Sequence, residues 1–268
     1  MRQCLLTNTR LPKDFLIQYG IATHPDTGNY WHLPTLAVDV LRTQKATNEL
    51  DIKPSDVTVS KQEGNIQAAK NGLPPRSLSG TNILSSYKAL KLISGLSASK
   101  HHAMLPFRWR DNRAIKGKDI VWREDMAEFV LKLMREEVVH WIDKLFSKKA
   151  GVYIAPCADW EDVQEQANIS AVLSLRDGSE NPVIAPGKHF DATDIEAGQL
   201  LPFCALARYD GSKVPVYALE SLLGSASLKS LRGKFPESLG EDYAVIRKGR
   251  STMGLQTKLW KLIGYLSG

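Results

Sequence analysis

The chain has 268 residues, 43% hydrophobic and 24% charged, which is enough apolar material for a sizeable core and too much for wholesale disorder. A formal charge of +6 admits nucleic acid or another anionic partner without selecting one. No apolar run reaches the roughly 20 residues of a membrane span, and Cys4, Cys157 and Cys204 form no close pair, which argues against a disulfide-stapled secreted fold and for a soluble, intracellular one.

The first thirteen residues carry Arg2, Arg10 and Lys13, with no carboxylate before Asp14 and no continuous apolar stretch. That pattern argues against a secretory signal and is compatible with a mitochondrial presequence, although Pro12 would interrupt its helix. Pro12, Pro25, Gly28, Pro34, Pro54, Gly64, Gly72, Pro74 and Pro75 punctuate residues 1–80, which read as a loop-rich N-terminal arm with a targeting segment. Residues 71–75 read as its linker, and residues 81–268 as one α/β domain. Within that domain, Ile83, Leu84, Tyr87, Leu90, Leu92 and Ile93 predict a helix over residues 82–96, with Gly95 near its stop. A basic, aromatic connector follows through Lys118. The clearest helix spans residues 123–146, where Met126, Phe129, Val130, Leu133, Val138, Trp141, Ile142 and Leu145 fall at steps of three and four. Acidic residues gather at its start and lysines at its end, as the helix dipole favours.

Beyond it the period changes. Residues 152–155, 169–175, 203–209, 215–219 and 243–246 are short β-rich runs bounded by turn residues, with Asp210-Gly211 joining two of them as a hairpin would. Helices are expected at 222–231 and 252–266. The order predicts an α/β or α+β fold, a mixed sheet covered by helices and preceded by the arm.

Motifs for chemistry fail their spacing tests. Gly249-Arg-Ser-Thr-Met-Gly254 has the strand-to-helix context of a phosphate loop but lacks its lysine; a helix start capped by Ser251 or Thr252 explains it as well. Gly224-Ser-Ala-Ser227 reads as a helical segment with no base nearby. His140 reads as a packed or surface histidine, and His101-His102 lacks further zinc ligands. His189, Asp191 and Asp194 read as parts of a solvated loop. Asp177, Asp210 and Glu220 would be the carboxylates of a diverged metal-dependent nuclease, with Glu220 ending a strand, yet no Glu-x-Lys pair accompanies them. No catalytic residue, metal or cofactor is therefore named, and a non-enzymatic protein is expected.

Charge is distributed unevenly. Residues 88–123 hold nine cations against two carboxylates, a net of +7, while the rest of the chain holds 26 against 27. Phe107, Trp109 and Trp122 are interleaved with those cations. Clustered cations release counterions from phosphates, and aromatic rings stack on unpaired bases. The expected nucleic-acid-binding residues are Lys100, Arg108, Arg110, Arg113, Lys116 and Lys118 for phosphate, with Trp109 for stacking. The bland alternative makes the rings core anchors and the charges a solvated face. An acidic protein surface is the other partner such a segment would fit.

Several stretches resemble a fungal mitochondrial family, "required for respiratory growth protein 8". They are Leu11-Pro-Lys, Ile83-Leu-Ser-Ser-Tyr, Trp141-Ile-Asp-Lys-Leu145, Ser170-Ala-Val-Leu-Ser-Leu-Arg176 and Lys258-Leu-Trp-Lys-Leu262. The resemblance implies a mitochondrial protein needed for respiratory growth and for maintenance or expression of the mitochondrial genome, and it supplies no catalytic residue. With the basic segment, it leads to the expectation of a non-enzymatic factor that contacts RNA or a ribonucleoprotein. The alternatives are a scaffold docking an acidic partner and the diverged nuclease-like domain. Mitochondrial localisation is expected, and otherwise cytoplasmic or nuclear.

Overall fold

A computed structural model of the chain describes residues 1–23, 30–37, 80–105, 120–148, 152–176, 204–209 and 212–268. The fold is α+β, with mixed sheets and accompanying helices, as the alternation of periods predicts. It divides into two compact units, Met1–Leu133 and Met134–Gly268.

The first unit opens with a two-stranded ribbon, β1 (Arg2–Gln3) and β2 (Arg10–Leu11). Its larger sheet comprises β3 (Leu16–Thr23), β4 (Tyr30–Pro34), β5 (Thr81–Leu84) and β6 (Ile120–Val121), in the order β5-β3-β4-β6. Only the β4–β6 pair is parallel. Two strands of this sheet thus come from the segment expected as an arm, and the boundary between compact units falls at 133/134 rather than at 80/81. The cause is alternation: Ile17, Tyr19 and Ile21 bury one face of β3, a period-two pattern that glycine and proline punctuation obscures. Residues 38–79, with the expected linker, lie outside the described residues.

The helix expected over 82–96 is shorter than its apolar spacing suggests. Thr81–Leu84 pairs with Leu16–Tyr19 as β5, and α1 (Tyr87–Ser94) begins only after Ser86. The Ser86 Oγ accepts the Ala89 N–H at 3.2 Å, satisfying one of the helix's orphan donors. A further helix, α2 (Ala98–Ala103), follows. Beside the β3–β5 pair, a Cβ on Gly80 would stand 2.3 Å from the Tyr19 carbonyl oxygen and 2.7 Å from the Gln18 Cγ. Because the nearest obstacle is backbone, Gly80→Ala is expected to cost about 1–3 kcal/mol. Urea unfolding of the variant against the wild type measures it.

The division between units falls inside α3 (Met126–Lys148), the helix whose stripe is clearest in the sequence. Met126, Val130, Leu133, Met134, Val138, Ile142 and Leu145 are all buried along it. The second unit's sheet contains β7 (Ile154–Cys157), β8 (Ile169–Ser174), β9 (Cys204–Tyr209), β10 (Ser212–Ala218) and β11 (Tyr243–Arg247), in the order β7-β11-β8-β10-β9. Tyr209 pairs with Ser212 across the predicted hairpin connection, and β8 and β10 run parallel. In the central strands Ala171, Val172 and Leu173, and likewise Ala244, Val245 and Ile246, are buried in succession. Both sheet faces are therefore covered, which is why these strands read as apolar runs rather than alternations.

Short helices complete this unit. α4 (Trp160–Glu165), which the period left unassigned, is capped by the Asp159 carboxylate accepting the Asp162 N–H at 2.8 Å. The single helix expected at 222–231 is two, α5 (Leu219–Leu223) and α6 (Ser225–Lys234). Gly224 separates them at φ +86°, a conformation open to glycine and costly for other residues. α7 (Pro236–Leu239) precedes β11, and α8 (Arg250–Ser267) ends the chain, burying Leu255, Leu259, Leu262, Ile263 and Tyr265. Among the described residues, no helix is long and apolar enough to cross a membrane.

Gly254 lies inside α8, against α3. A Cβ there would stand 2.4–2.8 Å from three outer ring carbons of Trp141. Gly254→Ala is expected to cost about 1–3 kcal/mol of overpacking, against about 1 kcal/mol returned by alanine's helix propensity. Trp141→Phe removes the opposing ring atoms, so the alanine penalty should shrink in that background. Additive losses in a urea-unfolding double-mutant cycle would refute the contact.

Candidate nucleic-acid interface

The described parts of the cationic segment belong to α1, α2, β6 and the turn before α3. Of the seven residues expected to bind nucleic acid, Lys100 stands exposed in the last turn of α2. Arg108, Trp109, Arg110, Arg113, Lys116 and Lys118 lie outside the described residues, as does Phe107.

The flanking cations divide into two kinds. Lys88 is exposed on α1. Lys91 is ion-paired with Glu128 at 2.5 Å, and the Tyr87 hydroxyl donates to the same carboxylate at 3.0 Å. The Lys91 hydrogen bond holds Glu128 below the usual carboxylate range and raises Lys91 in return. Arg123 makes a two-pronged contact with Asp125, at 2.9 and 2.7 Å, and covers the Phe129 ring at 4.2 Å. Lys91 and Arg123 are thus committed within the surface, whereas Lys88 and Lys100 project into solvent.

Trp122 corrects the aromatic half of the pattern. It is buried, and its Nε1 donates to the Ser94 Oγ at 3.1 Å. Its indole meets Tyr19, His32 and His101 with ring centroids 5.3, 5.2 and 5.4 Å apart. It anchors the first unit's core and offers no face to a base. Its arginine neighbour gives no hint of this; the available cue is the apolar pair Ile120-Val121 immediately before it, which forms β6.

The same cluster settles the histidines. His101 is buried, its Nε2–H donates to the Ile93 carbonyl at 2.8 Å, and its ring stacks on Trp122. His32, which the sequence reading passed over, is buried on β4. Burial pushes its pKa down to about 4, outweighing a hydrogen bond to the His101 main chain; the His101 ring acts in the same lowering direction. The His32 Nε2 has no hydrogen-bond partner among the described residues.

Of the three candidate nuclease carboxylates, Glu220 is the one among the described residues. Asp177, Asp210, His189, Asp191 and Asp194 lie outside the described residues. Glu220, expected at a strand end, belongs to the first turn of α5 because β10 ends at Ala218. Among the described residues no group of three His, Cys, Asp or Glu side chains could hold a metal. In the glycine-bearing turn, Gly249 itself occupies the cap position, not Ser251 or Thr252. The Thr252 hydroxyl donates to the Arg247 and Gly249 carbonyls at 2.8 and 3.0 Å, and Gly254 is consumed by Trp141. Burial raises the Cys157 and Cys204 thiols to about 11, far from the thiolate that nucleophilic chemistry needs. For the buried Cys4, desolvation acts upward but is outweighed by hydrogen bonds from the Thr7 hydroxyl and nearby main chain, so its thiol sits below the ordinary value.

Comparison of the chain with protein-family models, curated proteins and solved structures finds no match.

Proposed function

We propose that the chain is a non-enzymatic mitochondrial factor, needed for respiratory growth and for maintenance or expression of the mitochondrial genome, whose residues 88–123 contact RNA or a ribonucleoprotein. The carrying observation is electrostatic: this one segment holds the chain's entire positive excess, +7, against −1 for everything else. The exposure of Lys88 and Lys100 supports it. Phosphate affinity scales with the number of cations that displace counterions, so concentration of charge matters more than its total. Trp109 supplies the stacking surface in this reading, because Trp122 is spent in the core. The mitochondrial assignment is supported by the family resemblance. Equilibrium binding of single-stranded RNA by the wild type and by Arg108→Glu/Arg110→Glu tests the reading. Loss of binding on charge reversal is expected, and equal affinities would overturn it.

A further inference from the structure

We propose that the solvent face of α8 docks an amphipathic helix with acidic flanks, belonging to a protein partner. This surface lies wholly in the second unit and does not rest on the RNA reading. Met253, Thr257, Trp260 and Gly264 recur at steps of four, three and four, the spacing of a helix–helix seam. Met253 is 63% exposed and Trp260 50%, two large apolar side chains on one stripe. Thr257 and Gly264 are exposed beside them. The Thr257 hydroxyl already donates to the Met253 carbonyl at 2.8 Å, so it adds no polar demand to the stripe. A Cβ at Gly264 would meet nothing within 4 Å, which leaves an open notch one turn beyond the Trp260 ring. A ridge next to a notch is what a facing side chain interlocks with.

Charge identifies the occupant. Residues 243–268 contain five cations and no carboxylate. Arg247 donates to Gln166, and Lys258 is paired with Glu137. Lys248 and Arg250 are exposed at the start of α8, where the helix dipole is positive and no side chain caps the end. The same stretch of a second copy would offer these cations no carboxylate. A lipid surface would want the broad apolar face of α8, but Leu255, Leu259, Leu262 and Ile263 are already buried. A partner helix running antiparallel, with glutamates beside an apolar seam, satisfies both the stripe and the charge.

The test uses the full chain and dye-labelled helical peptides that share one leucine seam, flanked by glutamate or by lysine, plus a glutamate peptide with its seam scrambled. The glutamate-flanked peptide is expected to bind, at least about ten-fold more tightly than either control. Trp260→Ala should weaken it about 30-fold, as loss of a central aromatic anchor does. Gly264→Leu fills the notch with helix-compatible bulk and should also abolish binding, with an unchanged far-ultraviolet spectrum. Absence of binding, equal binding of the scrambled peptide, or indifference to both variants overturns the proposal. So does capture of phosphatidylglycerol vesicles, or self-association in sedimentation, that depends on Trp260 while the peptide does not bind.

Discussion

Acidification from pH 7 to pH 4 is expected to remove about 3 kcal/mol more stability from the wild type than from His32→Gln. The folded His32 titrates at about 4, against an ordinary value of 6.5, because burial penalises its cation. Between those values the unfolded chain binds the proton and the folded chain does not, so each unit of pH lost costs about 1.4 kcal/mol. The contribution is neutral above pH 6.5, grows as pH falls, and levels off below about 4. Among the described residues the imidazole packs on the Trp122 ring, the His101 ring opposes an added charge, and the His101 main chain accepts a hydrogen bond that only partly offsets burial. Glutamine retains an N–H for that main chain and cannot ionise. Asp125 and Glu128, held below the usual range by Arg123 and Lys91, also lose stabilisation in acid. Their effect is common to both proteins and cancels in the difference. Urea midpoints measured across the range would show parallel pH profiles if His32 were not the group responsible.

His32 also marks where sequence reasoning ran out. The long helix was legible because each buried side chain from Met126 to Leu145 obeys one local period, with charges sorted to its ends. The second unit's strands were legible for a similar reason: β-branched runs stop at turn residues, and the β9–β10 hairpin closes over two of them. The first unit's sheet gave no such local cue. It assembles β3 and β4 with Thr81–Leu84 and Ile120–Val121, strands about 60 and 100 residues further along the chain, one of them only two residues long. Ile83 and Leu84 fit a helical period by coincidence, and Ser86, the cap that resets the count, is one serine among several. The candidate interface was legible only as composition. Charge density shows at the level of letters, but whether a tryptophan faces water or core depends on the fold. Trp122 turned inward to meet strands contributed by distant parts of the chain.

RNA affinity should fall about 300-fold as salt rises from about 50 to 200 mM, if Lys100, Arg108, Arg110, Arg113, Lys116 and Lys118 each neutralise one phosphate. Six contacts on a single strand give a slope near −4 in log affinity against log salt, at about −0.7 per contact. Reversing Arg108 and Arg110 should lower the slope's magnitude by at least about 1.4, the share of two contacts, as well as weakening binding. Trp109→Ala separates the two physical terms, because stacking carries no counterions. It should cost about 1–3 kcal/mol and leave the slope where it was. Filter binding or fluorescence polarisation at stepped ionic strengths reads both quantities. A slope near zero would remove RNA from consideration, since no arrangement of phosphate contacts escapes counterion release. A steep slope that survives charge reversal at both arginines would move the contact to other exposed cations, Lys248 and Arg250 at the start of α8 among them.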